Sequence, residues 1–183
     1  MDQSAGAASR QETMTKLRPM TPTDAPAVLA IYAEGIATGH ATFESAAPDW
    51  VHFDEGKLAA PRLVSLDGEG GVTGWAALSP VSSRCVYGGV GEVSVYVAEA
   101  ARGKGLGRIL LQALVDGSEA EGLWTLTAGI FAENTASIRM HEQCGFERLG
   151  VRCGLGKMGH GPMAGRWRDV VQMERRSTVV GID

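Results

Sequence analysis

Apolar positions fall into two rhythms along the chain, one near the helical period and one alternating. Val28, Leu29, Ile31, Tyr32 and Ile36 lie on one helical face behind Thr23 or Asp24 as N-cap, with Pro26 near the first helical position and Gly39 closing the segment. Ile109, Leu110, Leu111, Leu114 and Val115 mark a second helix, from Arg108 to about Glu121, with Gly122 as its C-cap. "ENTASIRMHEQC" predicts a third, capped by Asn134 or Thr135 and stopped at Gly145. A loop after Gly39 leads to a short helix around Trp50–Ala59. The strand signals are "TKLRPM", Leu63–Leu66, Val72–Leu78, "VGEVSVYVA", "LWTLTAGIF", "FERLGVR" and "RWRDVVQMERR". Asp67-Gly68-Glu69-Gly70-Gly71 between two of them is the strongest hairpin signal, and "SSRCVYGG" reads as a turn or strand start. The order β-α-α-β-β-β-α-β-α-β-β predicts a mixed α/β fold, a hairpin meander followed by crossover units, with no internal repeat or inter-domain linker.

Composition narrows this picture. At 183 residues the chain suits one domain. The polar residues 1–14 are expected to be a disordered extension, 15–176 the domain and 177–183 a tail. A net charge of −4 argues against nucleic acid as a partner. No apolar run approaches a membrane span, and the first residues lack the apolar block of a signal peptide, so the expected location is the cytoplasm, without membrane. Three cysteines, Cys85, Cys144 and Cys153, read as reduced thiols there.

The chemistry concentrates at Arg102-Gly103-Lys104-Gly105-Leu106-Gly107-Arg108, where a strand passes into a helix. The first helical turn leaves N–H groups without internal partners, and with the helix dipole they attract anions. Glycines let an anion approach the backbone, and the cations add charge. A pyrophosphate suits this junction. The spacing matches neither the nucleotide-triphosphate loop nor the dinucleotide fingerprint. A solvated strand–helix turn is the plain alternative, and the junction alone leaves both open.

Arg102-x-x-Gly105-x-Gly107 directly after "SVYV" resembles the acyl-coenzyme A loop of the GNAT N-acetyltransferases. "SSRCVY", "EVSVYV", "ENTASIRMHEQCGF" and "RWRDVVQMERR" resemble the branch that acetylates phosphinothricin and methionine sulfoximine, over roughly Lys16 to Arg176. The resemblance implies the α/β (α+β) GNAT fold: a mixed, mostly antiparallel sheet splayed after the Glu92–Val97 strand, where acetyl-CoA enters, with helices on both faces. It implies acetyl-CoA as co-substrate, no metal, a small-molecule amino acid acceptor and a homodimer. The implied coenzyme contacts are the backbone of Val95, Tyr96 and Val97, the loop residues Arg102, Gly103, Lys104, Gly105, Leu106, Gly107 and Arg108, and Asn134.

Acetyl transfer to an amine needs a base, donors for the developing oxyanion and a route for the leaving thiolate. By resemblance Glu92 is the base, where a partly buried site would raise its pKa; the alternative is an exposed strand-end carboxylate. His141 matches a histidine beside the reaction centre, against a packing role. Asn134 could equally be a plain N-cap. Arg84 and Tyr87 match residues that hold the substrate's acidic groups, a task suited to the guanidinium fork. Phe43 and Glu44 resemble a loop bordering the substrate. Trp167, Arg168 and Asp169 resemble a signature with a structural or dimer role. Gly88, Gly89 and Ser82 depart from the family pattern, which leaves phosphinate, sulfoximine, sulfone and arsenic oxyacids open. Two rivals stand beside this reading. His141, Cys144, Cys153 and His160 are possible zinc ligands, at spacings unlike the usual pattern. Cys85 is the candidate for a ping-pong nucleophile. At the level of function, the alternatives are a non-catalytic acyl-coenzyme A binding module and a protein or peptide N-acetyltransferase.

Overall fold

The computed structural model describes residues 15–182, so the extension expected over residues 1–14 lies outside the described part. Seven strands form one sheet in the order β1-β2-β3-β4-β5-β7-β6. They are β1 (Lys16–Pro19), β2 (Arg62–Leu66), β3 (Val72–Pro80), β4 (Val90–Val97), β5 (Thr125–Phe131), β6 (Glu147–Lys157) and β7 (Trp167–Arg176). Among the described residues only β4 and β5 run parallel, so the sheet is mixed and mostly antiparallel, as expected. The β2–β3 hairpin closes where the sequence signals it: Asp67 Oδ1 accepts from Glu69 N at 2.9 Å and Gly71 N at 2.8 Å, with Gly70 at φ +88°.

Strand alternation divides the core. Trp75, Ala77 and Tyr96 face α1 (Ala25–Ala37) and α2 (Trp50–Glu55), packing with Val28, Ile31 and Phe53. Ala76, Leu78, Val93, Val95 and Val97 face α3 (Leu106–Ala120) and α4 (Thr135–Gln143), under Leu110, Leu111, Leu114 and Ile138. Those three leucines are fully buried, and cutting any to alanine costs about 2–5 kcal/mol. Helices therefore cover both faces.

Some boundaries differ from the periodicity. α2 stops at Glu55, short of Ala59. α3 starts at Leu106, two residues before the expected Arg108, because Gly105 at φ 78° serves as its N-cap. Asp24 precedes α1 without a side-chain cap bond to it. Its carboxylate instead accepts from Thr21 N at 2.8 Å and from both Arg18 terminal nitrogens at 2.7 Å, which with burial opposing holds its pKa down at about 2. β6 runs beyond the predicted "FERLGVR". The last described residues are tied back: Ser177 N donates to Trp124 O at 2.8 Å, and the Arg176 guanidinium reaches the carbonyls of Val180 and Gly181.

Candidate active site

The parallel ladder between β4 and β5 has three rungs, Val90–Thr125, Gly91–Leu126 and Glu92–Thr127. Past Glu92 the strands part. The splay thus opens inside the expected strand, after its first predicted residue. On the other side β4 stays paired with β3 to Val97, and Ala98 N donates to Thr73 O at 2.9 Å. The two-residue alternation of an antiparallel ladder then commits the backbone groups of Tyr96, Ser94 and Glu92 to β3. Those of Val93, Val95 and Val97 turn toward the gap. Of the three strand residues expected to contact a coenzyme through their backbone, Tyr96 is therefore engaged elsewhere. Val97 O already accepts from Arg102 Nε at 3.0 Å. The Glu92–Thr127 rung takes the Val93 N–H, so the free edge is the Val93 carbonyl and the Val95 backbone.

The gap continues into a groove of about 760 Å³ leading to the glycine-rich junction. Gly103 and Gly105 have φ of +77° and +78°, and among the described residues no atom beyond their chain neighbours lies within 4 Å of where a Cβ would stand, so the backbone there is bare. Gly107 differs. A Cβ on it would meet Met140 Sδ at 2.8 Å, so that glycine lets α3 close on α4. Among the described residues no acceptor faces the N–H groups of Gly103 to Gly107, and Leu106 and Gly107 begin a helix. Arg102 and Arg108 line the groove with Leu106. Lys104 does not: its Nζ donates to Ala100 O at 3.1 Å. Arg139 of α4 faces the same groove. No motif marks it, although Ala136, Arg139, Met140 and Gln143 share one face at helical spacing. Bare amides at a helix start, a close-approach backbone and several cations fit a diphosphate-bearing coenzyme.

A smaller cavity of about 110 Å³ lies in the splay itself, between Val93–Tyr96 and Ala128–Phe131, with Asn134, Ser137 and His141 at its wall. Asn134 is the N-cap of α4, its Oδ1 accepting from Ser137 N at 3.2 Å, while Nδ2 donates to His40 O at 3.3 Å. One side chain thus caps the helix and lines both cavities. His141 is buried, and its Nδ1 sits 2.8 Å from the Ser137 carbonyl oxygen. That carbonyl can only accept, so Nδ1 carries the proton of the neutral ring and Nε2 keeps the lone pair. Burial pushes the imidazole below its usual range, with the Ser137 contact opposing.

The opposite wall is held by Arg168, which is fully buried. It donates to Gly39 O at 2.7 Å, lies 3.3 Å from His40 Nδ1 and Glu133, and stacks 3.9 Å over the Phe131 ring. It anchors the loop that expectation placed beside the substrate. Its neighbour Trp167 is exposed, and Asp169 Oδ1 accepts from Gly154 N at 2.7 Å.

Glu92 stands where the strands separate, on the α1–α2 face, with Oε1 4.0 Å from where a Gly129 Cβ would lie. Its side chain is exposed, which corrects the expectation of a partly buried carboxylate. The glycine opposite leaves that space empty. Arg84 and Tyr87 line neither cavity; they lie in the exposed β3–β4 connector, with the guanidinium 5.6 Å over the tyrosine ring. Phe43 packs edge-on against Phe131 at 4.8 Å and over Gly156, and Glu44 is exposed beside it. Lys57, which no motif marked, reaches Ser79 Oγ at 2.9 Å and Ser94 Oγ at 3.0 Å on the same face as Glu92. Among the described residues no group of three or more His, Cys, Asp or Glu is arranged for a metal ion; Cys144 is buried at the end of α4, and Cys153 is exposed on β6.

The sequence profile of the Acetyltransferase (GNAT) family matches residues 25–146. The chain belongs to the GNAT acetyltransferase family. It is 35% identical over 156 residues to an L-methionine sulfoximine/L-methionine sulfone acetyltransferase of Pseudomonas aeruginosa, covering 82% of this chain and 88% of that protein. It is 36% identical over 161 residues to a phosphinothricin N-acetyltransferase of Alcaligenes faecalis, covering 83% and 77% respectively. Among solved structures, a GNAT superfamily phosphinothricin acetyltransferase from Sinorhizobium meliloti in complex with AcCoA superposes with a TM-score of 0.81 at 31% identity, over 92% of this chain and 91% of that one. The splayed sheet and the glycine-rich helix start are thus parts of a GNAT fold, and this chain is an N-acetyltransferase by family.

Proposed function

We propose that the protein transfers acetyl from acetyl-CoA directly to the α-amino group of a small amino acid analogue, in the class of methionine sulfoximine, methionine sulfone, phosphinothricin or arsinothricin. The product is a detoxified amino acid, made in the cytoplasm. One observation carries the reading: the β4–β5 ladder ends at Glu92, so a single gap presents a free strand edge, leads to bare helix-start amides and has a carboxylate at its mouth. The relatives named for methionine sulfoximine and phosphinothricin support the acceptor class.

The coenzyme supplies an acyl carbon activated by bonding to sulfur. The amides of Gly103 to Gly107, with Arg102 and Arg108 beside them, hold its diphosphate. Val95 offers its backbone donor and acceptor, and Val93 its carbonyl, to the extended arm, as a neighbouring strand would. Glu92 takes a proton from the acceptor's ammonium, directly or through water. The new N–C bond then forms as the C–S bond breaks, and the sulfur departs to be protonated. His141, neutral with its Nε2 lone pair available, serves as a relay at the cavity wall. Arg84 and Tyr87, with Phe43 and Glu44 on the neighbouring loop, receive the side-chain oxyacid from outside the two cavities. A homodimer accords with the large apolar side chains left exposed on β6 and β7, Leu149, Val151, Leu155 and Trp167.

Thiol release from acetyl-CoA tests the reading, with methionine sulfoximine, methionine sulfone, phosphinothricin, arsinothricin, ordinary amino acids and short peptides as acceptors. Turnover of one or more of the analogues is expected. Turnover of peptides alone would overturn it.

A further inference from the structure

Lys57 lies in the turn behind α2, where nothing in the sequence marks it. Its Nζ crosses the α1–α2 face of the sheet to donate to Ser79 Oγ at 2.9 Å and Ser94 Oγ at 3.0 Å. These two hydroxyls bracket Glu92. Ser79 is its partner across the β3–β4 ladder, and Ser94 follows it two residues along the same face. An ammonium thus shares one sheet face with the carboxylate at the mouth of the splay, on the β3 side of Glu92 while the carboxylate reaches toward Gly129 on the other. The two charges do not pair: among the described residues no carboxylate oxygen lies within 4.0 Å of Lys57 Nζ.

The surroundings of this ammonium are half finished. It has three N–H donors, and hydroxyls take two of them. The Phe53 ring lies 5.6 Å away and the Trp75 ring 6.0 Å, which favours a cation without neutralising it. Burial pushes the lysine below its usual range and Arg62 adds to this, while the Glu92 charge opposes them. A partly desolvated cation without a counter-ion gains from a visiting anion. Arg84 does not compete for this task, since it lies in the exposed connector against Tyr87.

Building on the acetyl-transfer reading, we propose that Lys57 receives the α-carboxylate of the acceptor while Glu92 faces its α-amine. The pair then reads the zwitterion of a free amino acid. In such an acceptor amine and carboxylate hang from one carbon, so opposite charges on one sheet face that do not pair with each other are the complement it needs. A peptide N-terminus or an amino acid amide presents a neutral carbonyl at the same place and forfeits the charge-assisted bond. Lys57 is accordingly the residue that separates free amino acids from peptides.

The test compares methionine sulfone with its carboxamide, using native protein, Lys57→Met and Lys57→Gln. The native enzyme is expected to prefer the acid by ~10- to 100-fold in kcat/KM, the factor typical of a hydrogen bond to a charged group. Both variants are expected to lose that preference through KM for the acid, with the amide changed less than about threefold on the same scale. Binding of acetyl-CoA by calorimetry should stay at the native value in both. Equal use of acid and amide by native enzyme would overturn the proposal, as would variants that lose acid and amide alike. The native comparison decides even if a variant fails to fold. Absence of turnover with any free amino acid would overturn the acetyl-transfer reading itself, a result separate from equal turnover of acid and amide.

Discussion

Glu92 faces Thr127 across the last rung of the parallel ladder, and no pairing joins β4 to β5 beyond it. The residue that ends the ladder is also the carboxylate at the gap. Removing its charge without its shape separates chemistry from binding. Glu92→Gln is expected to lower kcat by ~10²- to 10⁴-fold, the usual contribution of a general base. Acetyl-CoA affinity, measured by calorimetry, should change by less than about twofold, since Glu92 lines neither cavity. Retained turnover would remove Glu92 as the base.

Gly105 caps α3 at φ 78° in open space. An alanine there meets no neighbour, so its cost is conformational, about 1–2 kcal/mol for a left-handed residue with a Cβ. Gly105→Ala should lower the unfolding free energy by that amount, read as a lower denaturant midpoint at unchanged slope. It should also raise the Kd for acetyl-CoA, because the helix-start amides lose their alignment. Gly107→Ala should act differently, by pushing Met140 from α4. An unchanged coenzyme affinity in Gly105→Ala would argue against the loop as the diphosphate site.

Cys85 is exposed in the β3–β4 connector, and burial pushes the Cys144 thiol above its usual range, away from thiolate character. Direct transfer predicts that Cys85→Ala keeps turnover within about twofold of native, with kinetics that require both substrates bound. An acetyl group trapped on Cys85, detected by mass spectrometry of the protein incubated with acetyl-CoA alone, would establish a ping-pong route instead.

Asp24 is held at about 2, chiefly by the Arg18 hydrogen bonds, from an ordinary value of 3.8. Its folded pKa is depressed, so the stability it contributes is complete above 3.8 and disappears as pH falls toward about 2. Thermal melts of native protein should show that acid limb. Asp24→Asn should be less stable at neutral pH and lose less on acidification through the same window. Parallel melting curves for the two proteins would mean that the Arg18 contact contributes nothing in solution.

Much of this architecture is legible along the chain because it is encoded at short range. Helical faces such as Leu110–Leu114, the Asp67–Gly71 turn and the Val-rich strand ending at the glycine junction depend on residues a few positions apart, and the observed element order follows from them. The anion-seeking character of 102–108 is local chemistry of the same kind. Contacts between distant segments are another matter. Lys57 meets Ser94 across 37 positions, and Arg168 meets Gly39 across 129. Periodicity carries no record of such pairs, because strand register and the angle at which a loop crosses the sheet choose them. The same holds for where the splay begins, which of Val95, Tyr96 and Val97 turns its backbone to the gap, and how deeply Glu92 sits. Those depend on the packing of two cores against opposite faces of one sheet, a balance of burial summed over the whole domain rather than written at any single site.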